Sequence, residues 1–205
     1  MSIVKLNNNG VKNATAFGSI TGLGNLILIK TQTASSSASI SFVDGACSVV
    51  LDNTYKEYIF YFNNIHPATN NAHFTFQGSV DTGSNYGVNI TSSAFSTEHN
   101  EADSSTDLSY QTGVDLAQST NFQRITSSNS NNNDDNAAAI LHLFEPSSTT
   151  FVKHFTITGN TVATAYTVGT HIAGYFNSTS AIDAVQFKMS SGNIDAGSIS
   201  LYGVN

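Results

Sequence analysis

Six histidines and a few acidic side chains are the groups in this 205-residue sequence able to bind a metal ion or move a proton. His66 and His73 flank a turn, His99 sits beside Glu98 and Glu101, His142 and His154 fall in neighbouring apolar stretches, and His171 opens another. None has the H-E-x-x-H spacing that sets two imidazoles on one helical face. A hairpin pivoting at "EPSSTT", residues 145–150, would bring His142 and His154 onto one face. No third ligand accompanies them, so they read as hydrogen-bonded interfacial histidines rather than as a zinc site.

Hydrolytic chemistry fares no better. The chain has no G-x-S-x-G elbow and no Cys-His signature, and serine is too abundant for any one to stand out. Glycosidase chemistry needs two carboxylates flanking a groove, and Glu57, Asp81, Glu98, Glu101 and Asp103 would have to converge in space to supply them. The acidic stretches "HNEADSSTD" and "NNNDDN" lack calcium-loop spacing and read as solvated loops. The expectation is a protein that is not an enzyme and uses no metal or cofactor. Tyr86, Tyr110 and Tyr175 are the candidates for stacking on the pyranose rings of a surface glycan, against the alternative that each is a core or interface aromatic. The absence of Trp weighs against glycan binding.

The elements that would position these groups are strands. In "KEYIFYFNNI", residues 56–65, Tyr58, Phe60 and Phe62 share one face while Ile59 and Tyr61 share the other, which predicts a central strand covered on both sides. Further strands are read at 26–30, 39–42, 48–51, 73–77 and 88–91, then in "AAILHLFEP", "TFVKHFTIT" and "HIAGYFN". Residues 92–136 read as long polar loops, with a short helical turn near Leu116 and only Leu108, Tyr110, Leu116, Phe122 and Ile125 buried. The closing stretch from Ile182 reads as an antiparallel hairpin, with Val185, Phe187, Met189, Ile199 and Leu201 inward and Gly192 and Gly197 at its turn and bulge. A hairpin alone is marginal in water, so it must complete a larger sheet. Ten to twelve short strands with no amphipathic helix predict one all-β domain over residues 1–205. Its form is an antiparallel two-sheet β-sandwich, jelly-roll-like, with long polar loops. Residues 1–25 read as an N-terminal arm or attachment segment.

Composition narrows the partners. Charged residues are 10% of the chain, while Ser, Thr and Asn make up about a third, so hydroxyls and amides keep the surface wet. Thirteen Phe and eight Tyr supply a core that a disordered chain lacks. A net charge of −7 with scattered cations offers no basic stripe, so nucleic acid is not an expected partner. "LILI" at 26–29 is too short to cross a bilayer, and "MSIVKLNNNGVK" has no apolar segment after its lysine, so neither a signal peptide nor a membrane anchor is expected. Cys47, alone in the chain, reads as a buried inert thiol. Few lysines or inward charges guard the strand edges, and oligomerisation would cover them.

The ending "AIDAVQFKMSSGNIDAGSISLYGV", residues 181–204, resembles the closing signature of small virion structural proteins of tailed marine phages, cyanophages especially. The resemblance extends to "IVKLNNNGVKNATAFGS" (3–19), "YKEYIFYFNNIHPATNNAHFTFQGSVDTGSNY" (55–86) and "LHLFEPSSTTFVKHF" (141–155), and is weakest over 127–136. It implies a part assembled in the host cytoplasm and placed on the virion exterior, as a capsid decoration or a tail or fibre component. Its partners would be further copies of itself, as a homotrimer, and other capsid or tail proteins. A module binding host-surface glycan is the alternative. The resemblance carries no catalytic residues.

Overall fold

The structure, a computed structural model, describes residues 26–204, so the arm assigned to 1–25 lies outside the described residues. The described chain is all β, with no helix. Twelve strands follow one another: β1 (Leu26–Ser37), β2 (Ile40–Val43), β3 (Glu57–Pro67), β4 (Ala72–Ser79), β5 (Ile90–Asn100), β6 (Thr106–Tyr110), β7 (Gln123–Asn129), β8 (Ala137–Phe144), β9 (Lys153–Ala163), β10 (Tyr166–Phe176), β11 (Ala184–Met189) and β12 (Ile194–Val204). They form an eight-stranded sheet in the order β1-β12-β3-β8-β9-β10-β5-β6 and a four-stranded sheet in the order β2-β11-β4-β7, all pairs antiparallel.

Nested pairing gives the jelly-roll order. Strand β1 pairs with β12, β2 with β11, β3 with β8 and β4 with β7, as in one long antiparallel ribbon folded over on itself. Rolling the ribbon closes β12 onto β3 and β11 onto β4, and successive ribbon strands fall alternately in the two sheets. Two insertions, β5–β6 and β9–β10, extend the large sheet beyond the small one.

The core lies between the sheets and is aromatic. Phe187 on β11 has ring centroids of Phe42, Phe60, Phe62, Phe74 and Phe76 within 5.0–6.4 Å, most of them edge-on as the ring quadrupoles favour. Lys153 brings a charged group inside. Lys153 is buried with its Nζ donating to the carbonyls of Ser178 (2.9 Å) and Ser180 (2.5 Å), and burial pushes its pKa down. That ammonium ties the loop after β10 to the start of β9.

Several expectations meet their test here. The central strand is β3, third in the large sheet, with Tyr58, Phe60 and Phe62 inward; its other face, with Ile59 and Tyr61, is on the outward side of the sheet and not under a second layer of strands as expected. The closing segment is not a hairpin: β11 belongs to the small sheet and β12 to the large one. Alternation was read correctly, since Val185, Phe187, Met189, Ile199 and Leu201 are all buried. Alternation fixes a strand's faces and leaves its neighbour open. The link between the two crosses the sandwich and is held by the ends of other strands, with Ser190 N donating to His73 O on β4 and Asn193 Nδ2 to Ser36 O on β1. Gly192 takes φ +68° there, and a Cβ on it would meet Thr69 Oγ1. Gly197, φ +120°, marks a bulge against β3 where a Cβ would approach Asn64 O to 2.7 Å.

The polar stretch 92–136 contains most of β5 and all of β6 and β7, in place of the expected loops, and a turn near residue 113 in place of a helical one. Leu108 and Tyr110 are exposed, 69% and 55%, whereas Ile125 is buried and Leu116 and Phe122 are partly so. Residues 48–51 form no strand, although Val49 and Leu51 pack in the core. Cys47 is exposed at φ +50° in the turn after β2, because Asp44 and Gly45 bend that segment away from the sheet.

Candidate functional site

Strand alternation decides which side chains the large sheet turns outward. Along β9, Lys153, Phe155, Ile157 and Gly159 are buried and His154, Thr156, Thr158 and Asn160 exposed. Register carries that parity across the sheet. One outward row runs Thr31, Ser200, Tyr61, Ile140, Thr158, His171, Phe95, Tyr110, with each residue the partner of the next. Another runs Leu28, Tyr202, Ile59, His142, Thr156, Ala173, Ser93. This face carries hydroxyls, aromatics and aliphatic groups, with few charges.

Exposed apolar groups stand at both edges of the large sheet, which are unpaired among the described residues. At the β6 edge Phe95 lies opposite Tyr110, stacks on His171 at 4.8 Å between ring centroids, and has Leu108 beside it on the exposed strand. At the β1 edge stand Leu26 and Leu28, the latter 54% exposed. The edges also differ in charge, Lys30 lying on β1 and Asp107 on β6.

A cleft of about 770 Å³ opens at one end of the middle strands. Phe144 and Phe151 form its apolar wall, and Lys56, Glu57, Glu145, Thr150, His154 and Thr179 its rim. Phe151 is 68% exposed, yet its loop is ordered: its backbone N–H donates to Ser148 Oγ (3.1 Å), and Pro146 O accepts from Ile182 N (2.8 Å). The rim's ionic groups have partners, with Lys56 Nζ 3.1 Å from Glu145 Oε1 and Glu57 Oε1 2.5 Å from the Nδ1 of His142. Beyond His154 the cleft continues into a shallower groove of about 400 Å³ bordered by Thr91, Ser93, Thr156, Ala173 and Tyr175. The rings of His154 and Tyr175 are 5.9 Å apart.

The three candidate tyrosines do not come together. Tyr86 lies in the loop between β4 and β5 with its hydroxyl over Gly83. Tyr110 is on the edge strand, donating to Asp115 Oδ2 (2.8 Å), a bond that raises the phenol's pKa. Tyr175 alone borders the groove.

His142 and His154 do share the outward face, but each has its own partner, Glu57 for one and Tyr175 for the other. His99 contacts Asp103 (3.1 Å) and His66 the carbonyl of Asn132 (3.1 Å). Burial and the neighbouring Arg124 lower the pKa of His73. Among the described residues, no three His, Cys, Asp or Glu stand close enough to hold a metal ion. Of the five carboxylates, Glu57 reaches the cleft. Asp81 closes its own loop on Asn85 and Ser79, contacts that lower its pKa, and the other three lie in and around the β5–β6 turn. Sequence reasoning missed Phe144, Phe151, Phe95 and Leu108 as surface groups, because an isolated apolar residue defaults to the core. Phe151, directly after a Ser-Ser-Thr-Thr turn, carried the one local signal of exposure.

The chain matches no known family model, no curated protein and no solved structure.

Proposed function

We propose that this is a non-enzymatic structural protein of a phage virion's exterior, a capsid decoration or a tail or fibre component, that works through contacts between its copies. One observation carries the assembly half of this reading: two exposed apolar clusters, Leu26 with Leu28 and Phe95 with Leu108 and Tyr110, sit at opposite edges of one sheet, each edge unpaired among the described residues. Unpaired edges invite strand pairing with another chain, and soluble proteins otherwise blunt them. Here the opposite charges of Lys30 and Asp107 favour joining the β1 edge of one copy to the β6 edge of the next. Such a contact is head-to-tail, and it stays finite only when the rotation closes a ring. The ring we propose is a trimer.

The virion setting rests on the resemblance of residues 181–204 and the related stretches to structural proteins of tailed marine phages. Quantitative mass spectrometry of purified particles of the encoding phage tests it. The expected result is this chain at a copy number divisible by three, with cryo-electron microscopy placing it on the outside of the particle. Its absence from purified particles would overturn the virion assignment.

A further inference from the structure

We propose that the cleft between Phe144 and Phe151, continued past His154 to Tyr175, binds a linear, uncharged saccharide. The lining selects this chemistry. Two exposed phenyl rings offer flat apolar faces, each with the negative quadrupole that attracts polarised C–H groups. Around them stand carboxylate acceptors (Glu57, Glu145), hydroxyls that both give and accept (Thr150, Thr179), and the His154 imidazole.

An ionic ligand would have to compete with contacts already made, because the rim's lysine is held by Glu145 and the Glu57 carboxylate by the His142 ring. A wholly apolar ligand would strip water from those pairs without replacing its hydrogen bonds, at a net cost. A sugar meets both demands at once, with a C–H face for each ring and equatorial hydroxyls for the rim. Dimensions agree, since pockets for such ligands hold roughly 300–1,000 Å³. The groove beyond His154, bordered by Thr91, Ser93, Thr156 and Tyr175, extends the site in one direction, which suits a chain of sugars more than a single ring. The site is also prepared in advance. Phe151 is held outward by a hydrogen-bonded loop, and Glu57, Phe144, His154, Thr156 and Tyr175 stand on strands, so little ordering of these groups opposes binding.

The site lies on β3, β8, the loop after it, β9 and β10 and reaches the first residues of β5, leaving the edge strands β1 and β6 out of it, so it stays open when those edges join and its existence does not rest on the assembly reading. An array of neutral and acidic oligosaccharides probed with the full chain tests it. Binding is expected to neutral glycans of several residues, weakened about tenfold or more by Phe151→Ala and by Tyr175→Ala and unchanged by Leu108→Ser. Phe151→Ala removes an exposed side chain, so the variant folds, and its melting curve verifies this. No binding to any array glycan, binding to acidic glycans alone, or binding indifferent to both ring deletions would overturn the proposal. Particle mass and copy number report separately on assembly.

Discussion

Removing residues 182–205 is expected to abolish cooperative folding. The segment supplies β11 and β12, and neither is an edge strand: β12 joins β1 to β3 and β11 joins β2 to β4. Its loss detaches β1 from the large sheet and β2 from the small one, so both sheets break at once. Buried with it are Val185, Phe187, Met189, Ile199 and Leu201, together worth roughly 7–15 kcal/mol at about 1.5–3 kcal/mol each. That equals the whole net stability of a typical domain, about 5–15 kcal/mol. Circular dichroism during heating should show no sigmoidal transition in the truncated protein. A soluble, cooperatively melting product would contradict the pairing described above.

Phe187→Ala comes next in size. The ring sits where both sheets meet, among five other phenylalanines, and is fully buried. Those neighbours come from β2, β3 and β4, strands already fixed by hydrogen bonding, so they cannot collapse into the space left behind. Phenylalanine-to-alanine changes in cores cost about 3–5 kcal/mol, and a site that cannot relax falls toward the upper end. For a chain of this length the midpoint of thermal unfolding should drop by roughly 10–20 °C. Phe151→Ala, on the surface, should shift it by no more than about 2 °C. A similar drop for the two variants, compared at equal protein concentration, would mean that the core is not organised around Phe187.

Much of the fold was legible because its ribbon strands alternate cleanly. β3 shows Tyr58, Phe60 and Phe62 at period two, and β11 shows Val185, Phe187 and Met189, since one side of each faces the aromatic core. β5 and β6 were illegible for the opposite reason. They overhang the four-stranded sheet, so their inward positions take Ser92, Ala94 and Ser96, and every side chain of β6 but Ser109 is exposed. Where both faces are wet or lightly covered, alternation carries no signal. The β11–β12 link was misread because Gly192 and Gly197 fit a hairpin as well as a crossing between sheets. Strand pairing is non-local, and nothing within residues 182–205 names β1 or β4 as a neighbour.

The surfaces were less legible still. Tyr175 was singled out and lies at the groove. Phe151 and Phe144 were absorbed into an expected core, although Phe144 ends β8 on its outward side, next to the inward Leu143, and only the placement of the β8–β9 loop leaves Phe151 facing water. Whether the carboxylates converge was open from sequence alone, and the contact of Glu57 with His142, 85 residues away on another strand, shows why.

The claim on which the functional account stands is head-to-tail contact between the two edges of the large sheet, and native mass measurement on edge variants tests it most directly. The wild-type chain should run as a closed oligomer. Leu28→Asp and Leu108→Asp should each be monomeric, and an equimolar mixture of the two should give a dimer through the one pair of intact edges. A wild-type chain that stays monomeric at high micromolar concentration, or two edge variants that assemble as the wild type does, would contradict it.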